Sequence, residues 1–170
     1  MIVACVRIGT KYKTEYVFKL QAMVKRHMTV PHRFVCLTDR PKELPGIETV
    51  LVKGLPGWWG KLWLFNSEWR NERVLYFDLD TVICDNIDDL AQLDKPFYIC
   101  QNFTQLSGHP SWPCKYGSCC MVIQPDWGEF IWGEFRGRVA DYMIKYDQLG
   151  DQKVIEELAA ISPAASGRSA

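Results

Sequence analysis

Residues 73–83 read Arg73-Val74-Leu75-Tyr76-Phe77-Asp78-Leu79-Asp80-Thr81-Val82-Ile83. The unbroken apolar run over 74–77 is the pattern of a strand buried on both faces, as in a mostly parallel sheet. In an extended chain residues i and i+2 face the same side, so the carboxylates of Asp78 and Asp80 can converge on one ion while Leu79 turns back into the core. Paired carboxylates at the carboxyl end of a central strand stand where open α/β sheets bind ligands. A hard divalent ion, magnesium or manganese, prefers oxygen ligands and shares one or two carboxylates with substrate phosphates, which makes a diphosphate the natural third party. The plainer reading is that both aspartates only end the strand and open a turn.

Residues 2–6 read as a short buried strand, and a helix is expected over 14–28. There Val17, Leu20, Met23, Val24 and Met28 recur at helical spacing behind Thr14 as N-cap. Residues 33–37 and 47–52 are β-rich runs separated by a segment with Pro41, Pro45 and Gly46. A Gly/Pro loop over 54–60 carries Trp58-Trp59, and a helix is expected over 61–69. Strands are expected over 97–100 and 119–123, with a Ser/Pro loop over 107–113 between them. A helix over 127–146 follows, its stripe formed by Trp127, Ile131, Phe135, Val139, Tyr142 and Tyr146 and interrupted by Gly128, Gly133 and Gly137. A last helix runs from about 151 to 160. Strand and helix alternate, so an α/β fold is expected, with a Rossmann-like, mostly parallel central sheet flanked by helices. The expectation is one domain over 1–161 and a disordered tail over 162–170.

Composition narrows the function. Apolar residues make up 48% of the 170-residue chain and aromatics 13%, as in a packed globular protein. Twenty Lys and Arg balance twenty Asp and Glu with no basic stripe, so no nucleic-acid partner is expected. The seven cysteines include no CxxC spacing and several lie in apolar runs, which favours a reducing, cytoplasmic location. Residues 1–5 lack the basic flank of a signal peptide, and no apolar stretch approaches the roughly twenty residues of a membrane span.

Three blocks in order, Lys61-Leu62-Trp63-Leu64-Phe65, the strand ending in Asp78-Leu79-Asp80-Thr81, and Asn86-Ile87-Asp88-Asp89-Leu90, resemble the donor-binding core of glycosyltransferase family 8, the glycogenin-like enzymes. Gly9-Thr10-Lys11-Tyr12 is similar to the family's nucleobase-contacting segment. Tyr116-Gly117-Ser118-Cys119-Cys120-Met121-Val122 resembles its FNSGV strand, and Gly150-Asp151-Gln152 its GDQ motif. The resemblance spans roughly residues 2–158 and implies a GT-A fold.

It further implies transfer of a hexose from a UDP-sugar donor to an unknown acceptor, carbohydrate or protein, with retention of configuration. Asp80 and Asp78 would hold a divalent metal, manganese or magnesium, against the donor diphosphate. Lys61 would add positive charge at the phosphates, Thr10 and Tyr12 would meet the base, and Ser118 would belong to the donor-binding site. Asp151 and Gln152 would stand beside the reacting carbon. Plainer readings make Lys61 a solvated helix-start lysine and Asp151 an N-cap of the last helix.

The sequence departs from the family in two places. Gly117-Ser118-Cys119 stands where the family has Asn-Ser-Gly, and no His follows Gly150-Asp151-Gln152 to serve as third metal ligand. His27, His32 and His109 all lie upstream and read as structural. A nucleotide-sugar-binding module without turnover is therefore an alternative. A haloacid-dehalogenase-like phosphatase is another, because Asp78-Leu79-Asp80-Thr81-Val82 also satisfies DxDx[TV]. Trp58-Trp59 is read either as core or lid, or as an aromatic platform for a sugar.

Overall fold

The computed structural model describes residues 1–103 and 113–161. Residues 107–112 of the expected loop, His109 among them, and the expected tail lie outside the described residues. In chain order the elements are β1 (Ile2–Arg7), α1 (Thr14–His27), β2 (Arg33–Thr38), a 3-10 turn (Pro41–Glu43), β3 (Glu48–Leu51), 3-10 segments at Gly57–Phe65 and Ser67–Trp69, and β4 (Val74–Phe77). A 3-10 turn (Asp88–Gln92), β5 (Phe97–Gln101), β6 (Tyr116–Ile123), α2 (Glu129–Arg136), α3 (Val139–Lys145) and α4 (Gly150–Ala160) follow.

The strands form one six-stranded sheet in the order β3-β2-β1-β4-β6-β5. Pairings among β1 to β4 are parallel, with Ile2 opposite Val74 and Ala4 opposite Tyr76. Strand β6 runs antiparallel to both β4 and β5. β4 is therefore paired on both edges, as its unbroken apolar run requires.

Strand alternation divides the core into two layers. Val3, Cys5, Leu75, Phe77 and Leu79 pack against Val17, Leu20 and Val24 of α1. Ile2, Ala4, Val74, Tyr76 and Met121 pack on the other face against Trp59, Phe65, Ile131 and Phe135 and the buried side of α4. Leu79 is buried as expected, while its neighbours Asp78 and Asp80 face away from it.

Several local expectations are corrected. Residues 61–69 form no α-helix; the 3-10 segment Gly57–Phe65 buries Trp59, Gly60, Lys61, Leu62, Leu64 and Phe65. A segment buried on nearly every side offers no amphipathic stripe, and tertiary packing holds it in a tighter turn. The single helix expected over 127–146 is two: Gly137 closes α2 and Arg138, at φ −140°, precedes α3. The apolar stripe survives the break because Ile131, Phe135 and Tyr142 all reach one core. Thr14 is the first helical residue behind Lys13, not a cap. Asp151 does not cap α4, whose N-cap position is Leu149 with no side-chain bond. β6 begins three residues earlier than expected, at Tyr116, and meets β5 through a register shift at Ile99/Cys100.

Candidate functional site

Tyr76, Asp78 and Asp80 share one side of the chain at the carboxyl end of β4. The Asp78 N–H donates to the Cys119 carbonyl of β6 at 2.8 Å, which carries sheet pairing one residue past the strand. The turn of the plainer reading is also present, with the Thr81 N–H donating to the Asp78 carbonyl at 3.1 Å. Backbone alone makes that turn, so neither carboxylate is used up in capping. Both line a cleft of about 510 Å³, together with Tyr12, Lys61, Asp151 and Gln152.

Lys61 is the hub of the cleft floor. Its ammonium lies 2.8 Å from Asp78 Oδ1 and 3.7 Å from Asp151 Oδ2, and it donates to Ser118 Oγ at 3.1 Å. Ser118 in turn donates to Asp151 Oδ2 at 2.6 Å. The Tyr76 hydroxyl donates to Asp78 Oδ1, and the Lys61 ammonium stands 5.6 Å from the Tyr76 ring centroid. Lys61 is thus not a solvated helix-start residue; it is buried and ion-paired.

Burial and charge oppose each other here. Burial disfavours the Lys61 ammonium, but the Asp151 and Asp78 carboxylates outweigh it and hold the pKa above the ordinary lysine value. Burial pushes the Asp151 carboxyl up, against the downward pull of Lys61 and of the Ser118 hydrogen bond, and the net direction is upward. Burial, then the Asp78 charge, raises the Tyr76 phenol well above its usual range. At the other carboxylate the Tyr12 hydroxyl donates to Asp80 Oδ2 at 2.6 Å, and burial with that bond raises its pKa too. Both phenols are therefore neutral donors to carboxylates.

The expected residues do not all meet. Tyr12, Lys61, Asp78, Asp80, Asp151 and Gln152 line the cleft, whereas Thr10 is exposed and outside its wall. Ser118 is fully buried behind Lys61 and Asp151, so it positions those two groups and does not reach the cleft. His27 ends α1, where its carbonyl accepts the Ile87 N–H, and His32 Nδ1 lies 2.7 Å from the Val30 carbonyl; neither lines the cleft. Asp88 of the Asn86-Ile87-Asp88 turn serves the fold: it accepts from the Thr29 N–H, the Thr29 hydroxyl and the Val30 N–H at 2.8, 2.6 and 3.2 Å.

Three contributors escaped the sequence reading. Tyr76 holds Asp78, and the clue was a hydroxyl in an otherwise apolar strand two residues before the first aspartate. Arg7, at the end of β1, is buried; its Nε donates to the Tyr12 carbonyl at 3.0 Å and its guanidinium pairs with Glu43 at 2.8 Å. Lys11 lines the cleft beside Tyr12. A lone basic residue after a strand gives no such warning.

Could the residues hold a divalent ion? Among the described residues one Asp80 carboxylate oxygen has no partner, and Asp78 faces the same cleft. Among the described residues no group of three His, Cys, Asp or Glu side chains could hold a metal ion. Both Asp78 oxygens already lie against the Lys61 ammonium, so an ion held here would take one or two carboxylates and would need phosphate and water to complete its shell.

The mixed sheet, helices on both of its faces and the cleft at the carboxyl ends of β1 and β4 make this chain a GT-A fold. Solved structures of glycosyltransferases are among those it resembles. An active-site mutant of LgtC superposes with a TM-score of 0.67 at 14% identity, over 93% of this chain and 70% of that one. The galactosyltransferase LgtC in complex with donor and acceptor sugar analogs gives 0.65 at 16%, with the same coverage. The glycosyltransferase GlyE of Streptococcus pneumoniae TIGR4 gives 0.60 at 15%, over 95% of this chain and 44% of that one. No protein-family model and no curated protein matches the sequence. At such identities the likeness fixes the fold.

The haloacid-dehalogenase alternative also calls for a late acidic motif that follows a strand, and Gly150-Asp151 would have to supply it. Gly150-Asp151 opens α4 after the helix α3 and a turn, with no strand before it.

Proposed function

We propose that this protein is a metal-dependent glycosyltransferase that moves a hexose from a UDP-sugar to a carbohydrate or protein acceptor, with retention of configuration. The observation that carries the proposal is the meeting of Asp78, Asp80, Lys61, Asp151 and Gln152 on one cleft at the carboxyl edge of a GT-A sheet. Asp80, with Asp78, would hold a manganese or magnesium ion, which when bound neutralises the diphosphate of the departing nucleotide.

Each residue then has a physical task. Lys61, fixed as a cation by two carboxylates, keeps positive charge under the phosphates. Asp151 stands at the cleft wall as the anion able to balance positive charge developing on the sugar, and Ser118 and Lys61 fix its orientation. Gln152 Oε1 is buried with no hydrogen-bond partner among the described residues, an acceptor for which a sugar hydroxyl would compensate. Tyr12, pinned by Arg7, supplies a ring beside the base. All seven cysteines are free thiols, which supports a reducing, cytoplasmic place of work; no described helix is long and apolar enough to cross a membrane.

The test is calorimetric titration of UDP-glucose and UDP-galactose with and without manganese, on wild type and Asp80→Ala. Wild type should bind only with the metal, and the variant should lose that binding. Equal affinity in the two proteins would defeat the assignment. Label transferred to no acceptor and released to no water, with binding intact, would favour the module without turnover.

A further inference from the structure

The Trp58-Trp59 pair separates in three dimensions. Trp59 belongs to the core, 95% covered and stacked on Phe135 with ring centroids 6.1 Å apart and planes within 6°. Trp58 turns the other way, remains 46% exposed and lines the same cleft as Lys61, Asp78 and Asp80. An indole left in a cleft with half its surface wet exposes a large apolar area that folding has not used.

Its placement is specific. Gly150 sits directly beneath the indole edge: a Cβ there would lie 2.6 Å from Trp58 Nε1 and 2.8 Å from Cδ1. The same residue has φ +62°, a conformation that favours glycine. Gly150 thus lets the indole settle against the start of α4, next to Asp151 and Gln152. The unpartnered Gln152 amide oxygen belongs to that same corner. One side of the corner is a flat apolar face, and the other offers a carboxylate and an amide.

We infer that Trp58 is the stacking platform for the donor's hexopyranose ring, and that the Trp58–Gly150 contact fixes where the sugar lies against Asp151 and Gln152. This rests on the proposed donor reading. A pyranose has one face rich in C–H and a rim of hydroxyls; the C–H face suits an aromatic ring, and the rim suits carboxylate and amide groups. With the base beside Tyr12 and the diphosphate over Lys61, as proposed, a bare nucleotide leaves Trp58 uncovered. The sugar-dependent part of the affinity is therefore what Trp58 should govern.

The test compares UDP with UDP-glucose and UDP-galactose by calorimetry in the presence of manganese, using wild type, Trp58→Ala and Trp58→Phe. Circular dichroism and the melting temperature confirm that each variant is folded. The expected result is unchanged UDP affinity in all three proteins. The advantage of the better UDP-hexose over UDP should fall roughly tenfold in Trp58→Ala and be largely kept in Trp58→Phe. An undiminished advantage in Trp58→Ala, a phenylalanine variant as poor as the alanine one, or a wild type that gains nothing from the hexose would each overturn the inference while leaving nucleotide binding intact. A wild type that binds neither UDP nor UDP-hexose would remove the donor reading and this inference together.

Discussion

Replacing Lys61 by methionine keeps the length of the side chain and removes its charge. In the wild type that charge serves two carboxylates, Asp78 at 2.8 Å and Asp151 at 3.7 Å, and Asp151 has a side chain only 4% exposed. Removing one partner of a buried ion pair typically costs about 3–5 kcal/mol, because the remaining charge is left uncompensated. For a chain of this size each kcal/mol shifts the melting temperature by about 2–4 °C, so the deficit near neutral pH should be about 6–20 °C. Its pH dependence follows from Asp151. Burial already raises that carboxyl above its unfolded value of 3.8, so the native state holds the proton more tightly than the unfolded chain does. Such a group's contribution is fully present below the unfolded pKa and declines as pH rises through the folded one. Without Lys61 the folded pKa moves higher still, and the variant's deficit should be small near pH 4 and grow toward pH 8, both values approximate. Thermal melts across that range, with Lys61→Met, Asp151→Asn and the double variant, measure it. The double variant should recover part of the loss as a coupling of at least about 1 kcal/mol. A melting temperature within about 2 °C of wild type at neutral pH, or a deficit that does not grow with pH, would refute the charge argument.

Two further outcomes follow from other contacts. Asp88 has its pKa lowered to about 2, first by the Thr29 hydroxyl, then by Asn86 and the Thr29 and Val30 amides. A lowered carboxylate stabilises above its unfolded pKa and loses that effect as pH falls through the folded one. The difference in urea midpoint between wild type and Asp88→Ala should therefore be constant at neutral pH and shrink between pH 3.8 and about 2; a constant difference throughout would contradict it. At Gly128 a Cβ would lie 2.8 Å from Phe65 Cδ1 and 3.2 Å from the Phe65 backbone, so Gly128→Ala should cost about 1–3 kcal/mol by overpacking, and urea unfolding at wild-type stability would show that Phe65 can move.

How much of this was legible beforehand depends on the range of the interaction. The strand at 74–77, the inward turn of Leu79 and the shared outlook of Asp78 and Asp80 depend only on the two-residue period of extended chain. The helix at Thr14–His27 depends on spacing within one element. The expectations that failed needed knowledge of the surroundings. Residues 61–69 read as a helix behind a Gly/Pro loop, yet burial on nearly every side selected a 3-10 path over 57–65. Asp151 read equally well as a cap, and only the arrival of Ser118 from β6 and Lys61 from the segment before β4 decided where its carboxylate turns.

Sequence by itself determined the alternation of elements, the buried central strand and the pair of carboxylates at its end, because periodicity and residue type are local properties of the chain. The tertiary structure alone decided that Lys61 lies buried between Asp78 and Asp151, that Ser118 stands behind the cleft, that Thr10 stays outside it and that Trp58 parts from Trp59 to face it. Those outcomes join residues 17 to 90 positions apart in the chain. The balance of desolvation against charge that settles them exists only once β1, β4, β6 and α4 have been brought side by side.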